Sequence, residues 1–201
     1  TILLFNGSPM TFNGKDSITN LEGQNIEVST GPVAAFTAIK HLGTNGGGFF
    51  GTNSAHPFEN PNYITNFTEM VAQMLIPFAL VFAFGYFIKR RKLSWTIFAV
   101  MSIGFLSLMA MNVAFENAGN PALQEMGANI SLGNMEGKEI RFGSSASAYW
   151  SVATTVIATG SVNSMHDSYM PLSGMNMLLA MMINCFYGGV GVGILNYLVF
   201  I

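Results

Sequence analysis

The residues best suited to chemistry form a glycine-rich loop at positions 42–50, with the sequence LGTNGGGFF. A short helix-like run at 32–42 precedes the loop and begins at the Gly-Pro pair 31–32. A long apolar segment at 70–88 follows the loop. Non-helical backbone at membrane depth is tolerated only where it is buried in protein or lines a water-filled cavity. In such a place a glycine loop can present bare carbonyl oxygens that replace the hydration shell of an ion. The order of helix, loop and apolar helix therefore predicts a re-entrant pore loop.

The composition of the 201-residue chain is that of a membrane protein. Half of the residues (50%) are hydrophobic and only 9% are charged, against about 25% charged residues in ordinary soluble domains. Four of the eight basic residues lie together at 89–92 between two apolar stretches, and none of the ten acidic residues lies there. By the positive-inside rule, we expect this loop to be cytoplasmic. The single cysteine, Cys185, lies in an apolar stretch and excludes an intrachain disulfide.

Along the chain, the segments predict an all-α integral membrane protein in which one unit occurs twice. Residues 1–5 are expected to end a helix, and the polar segments 6–30 and 117–144 to form loops outside the cell. The other predicted elements are pore helices at 32–42 and 145–158, loops at 43–66 and 159–162, a return loop at 163–173, and membrane crossings at 70–88, 93–115 and 175–201. The last crossing is interrupted by Gly188, Gly189, Gly191 and Gly193.

An internal echo supports the repeat. NSAH at 53–56 follows the first loop, and NSMH at 163–166 follows the second. We therefore expect a first unit at 1–92 and a second unit at 93–201. The chain begins with Thr and is still apolar at its last residues, so we expect it to be part of a larger protein.

Longer strings point to a family. They are GPVAAFTAIKHLGTNGGGFF at 31–50, NSAHPFENP at 53–61, NMEGKEIRFG at 134–143, SMHDS at 164–168 and YGGVGVG at 187–193. In this order, and over essentially its whole length, the chain resembles the potassium-binding subunit family (KdpA) of the Kdp-type potassium-transporting ATPases. The resemblance implies a fold like that of a potassium channel, in which four repeats of membrane helix, pore loop and membrane helix surround one pore. This chain would carry the third and fourth repeats.

The resemblance also implies potassium as the bound ion and two selectivity-filter loops. The filter candidates are Thr44, Asn45, Gly46 and Gly47 in the first loop and Ala158, Thr159, Gly160 and Ser161 in the second. Several carbonyl oxygens of moderate field strength suit dehydrated potassium, and we expect the ligands to be the carbonyl groups of Thr44, Asn45, Gly46, Ala158, Thr159 and Gly160. The C-terminal ends of the two pore helices would favour a cation there.

Three positions depart from the family pattern. Gly51 stands where the family usually has Asn, and the second loop lacks the Cys that often precedes its glycine, Gly160. Asn184 stands where a Glu is common before the glycine-rich break, which puts an acidic role at that position in doubt.

The implied function is that of the potassium-binding and translocating pore subunit of an ATP-driven uptake system, in a multi-pass arrangement in the bacterial inner membrane. ATP hydrolysis would occur on a P-type ATPase partner (KdpB), with a small periplasm-facing subunit (KdpC) and a single-span peptide (KdpF) as further partners, and with no role for nucleic acid. This chain offers no nucleotide site and no catalytic residue. The alternatives are a passive or secondary potassium transporter without an ATPase, and a structural membrane protein with glycine turns. A phosphate-binding loop would need a strand before it and a helix after it, and here a helix precedes it.

Other polar side chains carry weaker expectations. His56 and His166 are expected to hydrogen-bond within the return loops rather than bind a metal. Lys40 is expected to satisfy the last carbonyl groups of the first pore helix. Glu59, Glu116 and Asp167 are either cation attractors at the pore mouth or, by default, solvated loop charges.

Overall fold

The computed structural model of the protein describes residues 1–183 and 187–190, and this part is mostly helical. The helices are α1 (Ile2–Phe5), α2 (Val33–Leu42), α3 (Tyr63–Phe87), α4 (Arg91–Ala118), α5 (Pro121–Glu125), α6 (Gly143–Val156) and α7 (Pro171–Ile183), with a 3-10 turn at His166–Ser168. Two short strands, β1 (Lys15–Thr19) and β2 (Asn25–Ser29), pair antiparallel. The predicted helices at 32–42, 70–88, 93–115 and 145–158 are confirmed, with shifted ends.

Helices α3 and α4 contain 25 and 28 residues and are predominantly apolar. About 20 residues cross the hydrocarbon core of a bilayer, so both helices are long and apolar enough to span a membrane. Helix α3 begins seven residues before the predicted start because Asn62 caps it. The Asn62 side chain accepts the backbone N–H groups of Ile64 and Thr65, and the Thr65 hydroxyl accepts the N–H of Asn62, which forms a capping box.

Helix α6 lies at the centre of the packed helices, with ten of its 14 residues buried. Many of these residues are Ala, Ser or Thr, whose small side chains allow helices to approach closely. Its apolar side chains join those of α3, α4 and α7 in one core. The ring of Tyr187 lies 4.5 Å from that of Phe78 and 6.2 Å from that of Phe105, and its hydroxyl donates to the Ser102 hydroxyl at 2.8 Å. Tyr187 therefore ties the segment after α7 to α3 and α4.

The prediction of an unstructured loop at 6–30 was wrong, and the all-α class is too strict, because β1 and β2 form a hairpin. The Asn20 side chain shapes the connecting turn by accepting the N–H groups of Glu22 and Gln24. Lys15 and Glu27 pair across the strands at 2.6 Å. Both strands are almost fully exposed. Polar and apolar residues alternate in β2 (NIEVS), a strand signal that the prediction did not use, whereas β1 (KDSIT) shows no such alternation.

Two further features differ from the prediction, and part of one predicted element is not described. The loop at 117–144 contains the short helix α5, whose first turn is capped by Asn120. The return loop ends earlier than expected, because α7 begins at Pro171 rather than at 175. Of the predicted last crossing, residues 184–186 and 191–201, with Asn184, Cys185, Gly191 and Gly193, lie outside the described residues.

Helices α3 and α4 meet at a tight turn where Gly85 touches Ser94. A Cβ atom added to Gly85 would overlap the Ser94 side chain. We expect Gly85→Ala to lower the free energy of unfolding by about 1–3 kcal/mol, because overpacking forces the helices apart. The measurement is the apparent melting temperature of the purified protein in detergent. Gly85→Ala combined with Ser94→Gly restores the space and should recover most of the loss; a double variant as unstable as the single one would contradict this packing.

Candidate ion-binding site

The first glycine loop leaves helix α2 through a backbone turn that requires a left-handed residue. The N–H of Thr44 donates to the carbonyl of His41 at 3.2 Å, and the N–H of Asn45 donates to the carbonyl of Lys40 at 3.3 Å. Thr44 has a φ of 46° and Gly46 a φ of 72°. The left-handed region is strained for a β-branched residue such as Thr, so packing around the loop must hold Thr44 there.

The second loop leaves helix α6 in the same way. The N–H of Ala158 donates to the carbonyl of Thr155 at 3.3 Å, and the N–H of Thr159 donates to the carbonyl of Thr154 at 2.9 Å. Ala158 has a φ of 53° and Gly160 a φ of 82°. Ala158 is thus the counterpart of Thr44, and Gly160 the counterpart of Gly46.

These turns use the N–H groups of the loops and leave their carbonyl groups unused. Within the part of the chain that the structure describes, no hydrogen bond ends on the carbonyl oxygens of Thr44, Asn45, Gly46, Ala158, Thr159 or Gly160. Thr44, Gly46 and Thr159 are buried, and most buried carbonyl groups in proteins have a partner. The two loops therefore leave six carbonyl oxygens available to coordinate a cation.

The two loops lie against each other. A Cβ atom added to Gly46 would overlap the carbonyl oxygen of Thr159. A few residues later, the N–H of Ser54 donates to the carbonyl of Val162 at 2.7 Å, and the N–H of Val162 donates to the carbonyl of Thr52 at 3.0 Å. This parallel bridge brings the predicted site residues of both loops together.

The eight filter candidates do not have equal surroundings. Asn45, Gly47, Ala158 and Gly160 are exposed, whereas Thr44, Gly46, Thr159 and Ser161 are buried. The Thr44 hydroxyl accepts the N–H of Val190 at 2.8 Å, which joins the segment after α7 to the first loop. A cavity of about 460 Å³ lies beside the second loop; its lining includes Thr154, Thr155, Ala158, Gly160, Val162 and His166.

Ser161 differs from the other candidates because its carbonyl oxygen is already engaged. It accepts the indole N–H of Trp150 at 2.9 Å, and Trp150 is fully buried on α6. The His41 ring packs edge-on against Trp150 at 5.4 Å. Its Nδ1 lies 3.0 Å from the Thr37 carbonyl and therefore carries the proton, so Nε2 accepts from the Ser54 hydroxyl at 3.4 Å. This chain of contacts links α2, the first return segment and the second loop.

Arg141 connects the second outer loop to the first return segment. Its guanidinium donates to the carbonyl oxygens of Asn60, at 3.2 Å, and Ala55, and pairs with Glu139 at 2.7 Å. A guanidinium presents five donors in a fixed plane, which suits such a junction. Arg141, His41 and Trp150 were not predicted as site residues, although Arg141 and His41 lie inside family strings that could have indicated them.

Two expectations about charged residues were wrong. Lys40 does not cap α2: its Nζ atom pairs with Glu59 at 2.8 Å, and both side chains are fully buried. Glu116 is likewise buried and pairs with Lys138 at 2.8 Å. Neither glutamate is a solvated charge or a free cation attractor, because isolated charges are too costly to bury and each has found a partner. Asp167 is exposed.

The histidines differ from each other. His56 Nδ1 accepts the N–H of Phe58 at 3.2 Å, which confirms hydrogen bonding within its return segment, and its ring stacks on Phe50 at 3.5 Å. For His166 the expectation was wrong, because its buried Nε2 has no hydrogen-bond partner among the described residues. In residues 1–183 and 187–190, no group of three or more His, Cys, Asp or Glu side chains could hold a metal ion.

One departure from the family pattern has a structural reason. Gly51 has a φ of 68°. Glycine and asparagine adopt this region more readily than other residues. The exchange of one for the other therefore keeps the turn.

The long apolar helices and the paired carbonyl loops define a mostly helical membrane protein with a candidate cation site between two helix ends. The chain belongs to the family of the potassium-transporting ATPase A subunit (KdpA), whose model matches residues 1–201.

Relatives in other bacteria agree with this membership. Proteins named potassium-transporting ATPase potassium-binding subunit are 63% identical over 199 residues in Flavobacterium psychrophilum, 54% over 200 in Parabacteroides distasonis and 45% over 203 in Delftia acidovorans. These matches cover 98–100% of this chain but only 35–36% of each relative. The chain thus spans about a third of the length of the curated relatives that it matches.

The contact between Trp150 and Ser161 can be tested by Trp150→Phe. The substitution removes the indole N–H and leaves a buried carbonyl without its donor, which costs about 1–3 kcal/mol. We expect a lower apparent melting temperature of the purified protein. Trp95→Phe is the control, because Trp95 is 63% exposed and should change little; equal shifts in both variants would contradict the role of the buried hydrogen bond.

His166 predicts a pH dependence. Burial, and then the nearby Lys138 ammonium, lowers the pKa of His166 below its ordinary value of 6.5. The folded protein thus favours the neutral ring, so the contribution of His166 to stability is complete above pH 6.5 and is lost as the pH falls below that value. Between pH 7.5 and 5.5, we expect the melting temperature of the wild type to fall on the order of 1–3 °C more than that of His166→Gln. Parallel pH curves would contradict this.

Proposed function

We propose that this chain forms part of the potassium-binding, ion-translocating subunit of an ATP-driven potassium uptake system. One observation carries the proposal: two adjacent loops at the C-terminal ends of α2 and α6 leave six carbonyl oxygens without hydrogen bonds. The names of the relatives, which describe potassium-binding subunits of a potassium-transporting ATPase, support potassium as the ion.

Carbonyl oxygens suit potassium for an energetic reason. They replace the hydration shell of the ion without forming the deep electrostatic trap that carboxylates would form. Each helix also ends with a partial negative charge of about half an electron, which favours a cation. We assign the ligand carbonyls to residues 44–46 and 158–160. Gly47 completes the first filter loop, and Ser161 completes the second as its anchor on Trp150.

In this proposal, α2 and α6 are re-entrant pore helices in a channel-like fold of repeated units. The first unit comprises residues 1–92 and the second 93–201, and each supplies one filter loop. The parallel bridge between Asn53 and Val162 would then join two neighbouring sectors of a ring. Two loops cannot surround an ion alone, so the remaining sectors come from the rest of the full-length subunit.

For the partners and the location, we propose what the family resemblance implies. ATP hydrolysis takes place on a P-type ATPase subunit (KdpB), and KdpC and KdpF complete the complex in the bacterial inner membrane. Helices α3 and α4 cross the bilayer, and the basic turn at 89–92 between them faces the cytoplasm.

Gly46→Ser tests the site. A side chain at position 46 would displace the Thr159 carbonyl, so we expect the apparent affinity for potassium to fall at least about tenfold, or about 1.4 kcal/mol. Discrimination against sodium and rubidium should weaken as well. The measurement is potassium-stimulated ATP hydrolysis by the assembled complex.

Gly14→Ser is the control for this experiment, because Gly14 is exposed and has nothing near its Cβ position. An unchanged potassium response of Gly46→Ser would remove the loop from the binding site. Wild-type uptake that needs neither ATP nor a partner subunit would instead favour a passive or secondary transporter.

A further inference from the structure

A buried ion pair lies directly behind the first carbonyl loop. We propose that Lys40 and Glu59 act as a charge-balanced pair that sets the affinity of this loop for potassium, with Glu59 cancelling a positive charge that would otherwise repel the ion. The proposal rests on the proposed function and adds two residues that position and tune the site without touching the ion.

The contacts of the pair place it against the loop. Lys40 Nζ lies 2.8 Å from Glu59 Oε2, and both side chains have no exposed surface. Glu59 Oε1 accepts the N–H of Phe50 at 3.0 Å. A Cβ atom added to Gly48 would lie 2.8 Å from Lys40 Cδ and 3.2 Å from Glu59 Oε1. The pair therefore packs against Gly48, two residues beyond Gly46.

Lys40 also supports the loop through its backbone, since its carbonyl accepts the N–H of Asn45. Its ammonium group is thus attached to the last turn of the helix whose negative end favours the cation. An unpaired positive charge at this point would oppose that effect. Charges in a protein interior are poorly screened, so the repulsion would reach an ion on the other side of the loop.

The other titratable groups near the pair are His41 on α2, Glu69 on α3, and His56 in the return segment, which interacts with Glu59 and Arg141. His41 follows Lys40, and its Nε2 lies 3.6 Å from Glu69 Oε2 on α3. Both residues stay the same in every protein compared below. Glu59 and Lys40 act on Glu69 with opposite sign, so the double variant of Lys40 and Glu59, which removes both charges, leaves Glu69 in surroundings closest to those of the wild type.

The chain contains a second buried pair that serves as a matched control. Lys138 and Glu116 also lie 2.8 Å apart with no exposed surface, and Glu116 Oε1 accepts the N–H of Met170 at 2.9 Å. This pair holds the second return loop near Ser164 and Met170 rather than the carbonyl loop itself. Glu116→Gln should therefore lower stability as much as Glu59→Gln but change the apparent potassium affinity less than about threefold.

The test compares wild type, Glu59→Gln, Lys40→Met and the double variant in the assembled complex, by potassium-stimulated ATP hydrolysis. Glu59→Gln keeps an acceptor for Phe50 but leaves Lys40 unpaired. We expect its apparent potassium affinity to fall at least about tenfold, with the maximal rate within about twofold of wild type. Lys40→Met should not weaken the affinity, and the double variant, which is neutral again, should return to within about threefold of wild type.

The opposite result has a clear meaning. If the pair acted only through its shape, the double variant would bind potassium as weakly as Glu59→Gln or more weakly, and the proposal would be overturned. If Glu59→Gln does not assemble, Lys40→Met and the double variant decide: Lys40→Met should bind potassium at least about threefold more tightly than the double variant, and equal affinities would overturn the proposal.

Gly46→Ser in the same series separates this proposal from the function on which it rests. A changed potassium response in Gly46→Ser, together with an unchanged one in Glu59→Gln, would overturn the role of the pair and leave the carbonyl site in place. No change in either variant would overturn both.

Discussion

Backbone that leaves a helix inside an apolar environment must find partners for its polar groups, and this constraint governs the arrangement around the two loops. Their N–H groups turn back onto α2 and α6, and their carbonyl groups stay free. Such loops are stable only if the surrounding side chains hold them in place. Side chains from several elements give this support: His41, Trp150, Arg141 and the Lys40–Glu59 pair all contact the loops or the segments that follow them.

The same backbone turn is held by different side-chain chemistry in the two loops. An ion pair that accepts the N–H of Phe50 supports the first loop. An indole donor on α6 supports the second, and the return segment behind it is fixed by a 2.6 Å hydrogen bond between Ser164 and Tyr169. In the proposed repeats, the geometry of the turn is therefore shared and its support is not. The first loop is supported directly by an ion pair, and the second directly by a hydrogen bond from α6.

Sequence patterns predicted most of the helices, because apolar runs bounded by glycine, proline and polar residues are local signals. They failed for the hairpin, which the Asn20 turn and an exposed ion pair hold without a buried face. They also failed for Lys40 and Glu59, since residues 19 positions apart meet only through the path of the loop. Gly46 was expected among the filter residues, whereas its contact with the Thr159 carbonyl could not be inferred from one loop alone.

The parallel bridge at Val162 has a mechanical consequence. The N–H of Val162 donates to the carbonyl of Thr52, and its carbonyl accepts the N–H of Ser54, on either side of Asn53. These two hydrogen bonds join the loops only a few residues from their free carbonyl groups. A relative displacement of the two loops would strain both hydrogen bonds, so the bridge limits how far their two rows of carbonyl oxygens can move apart.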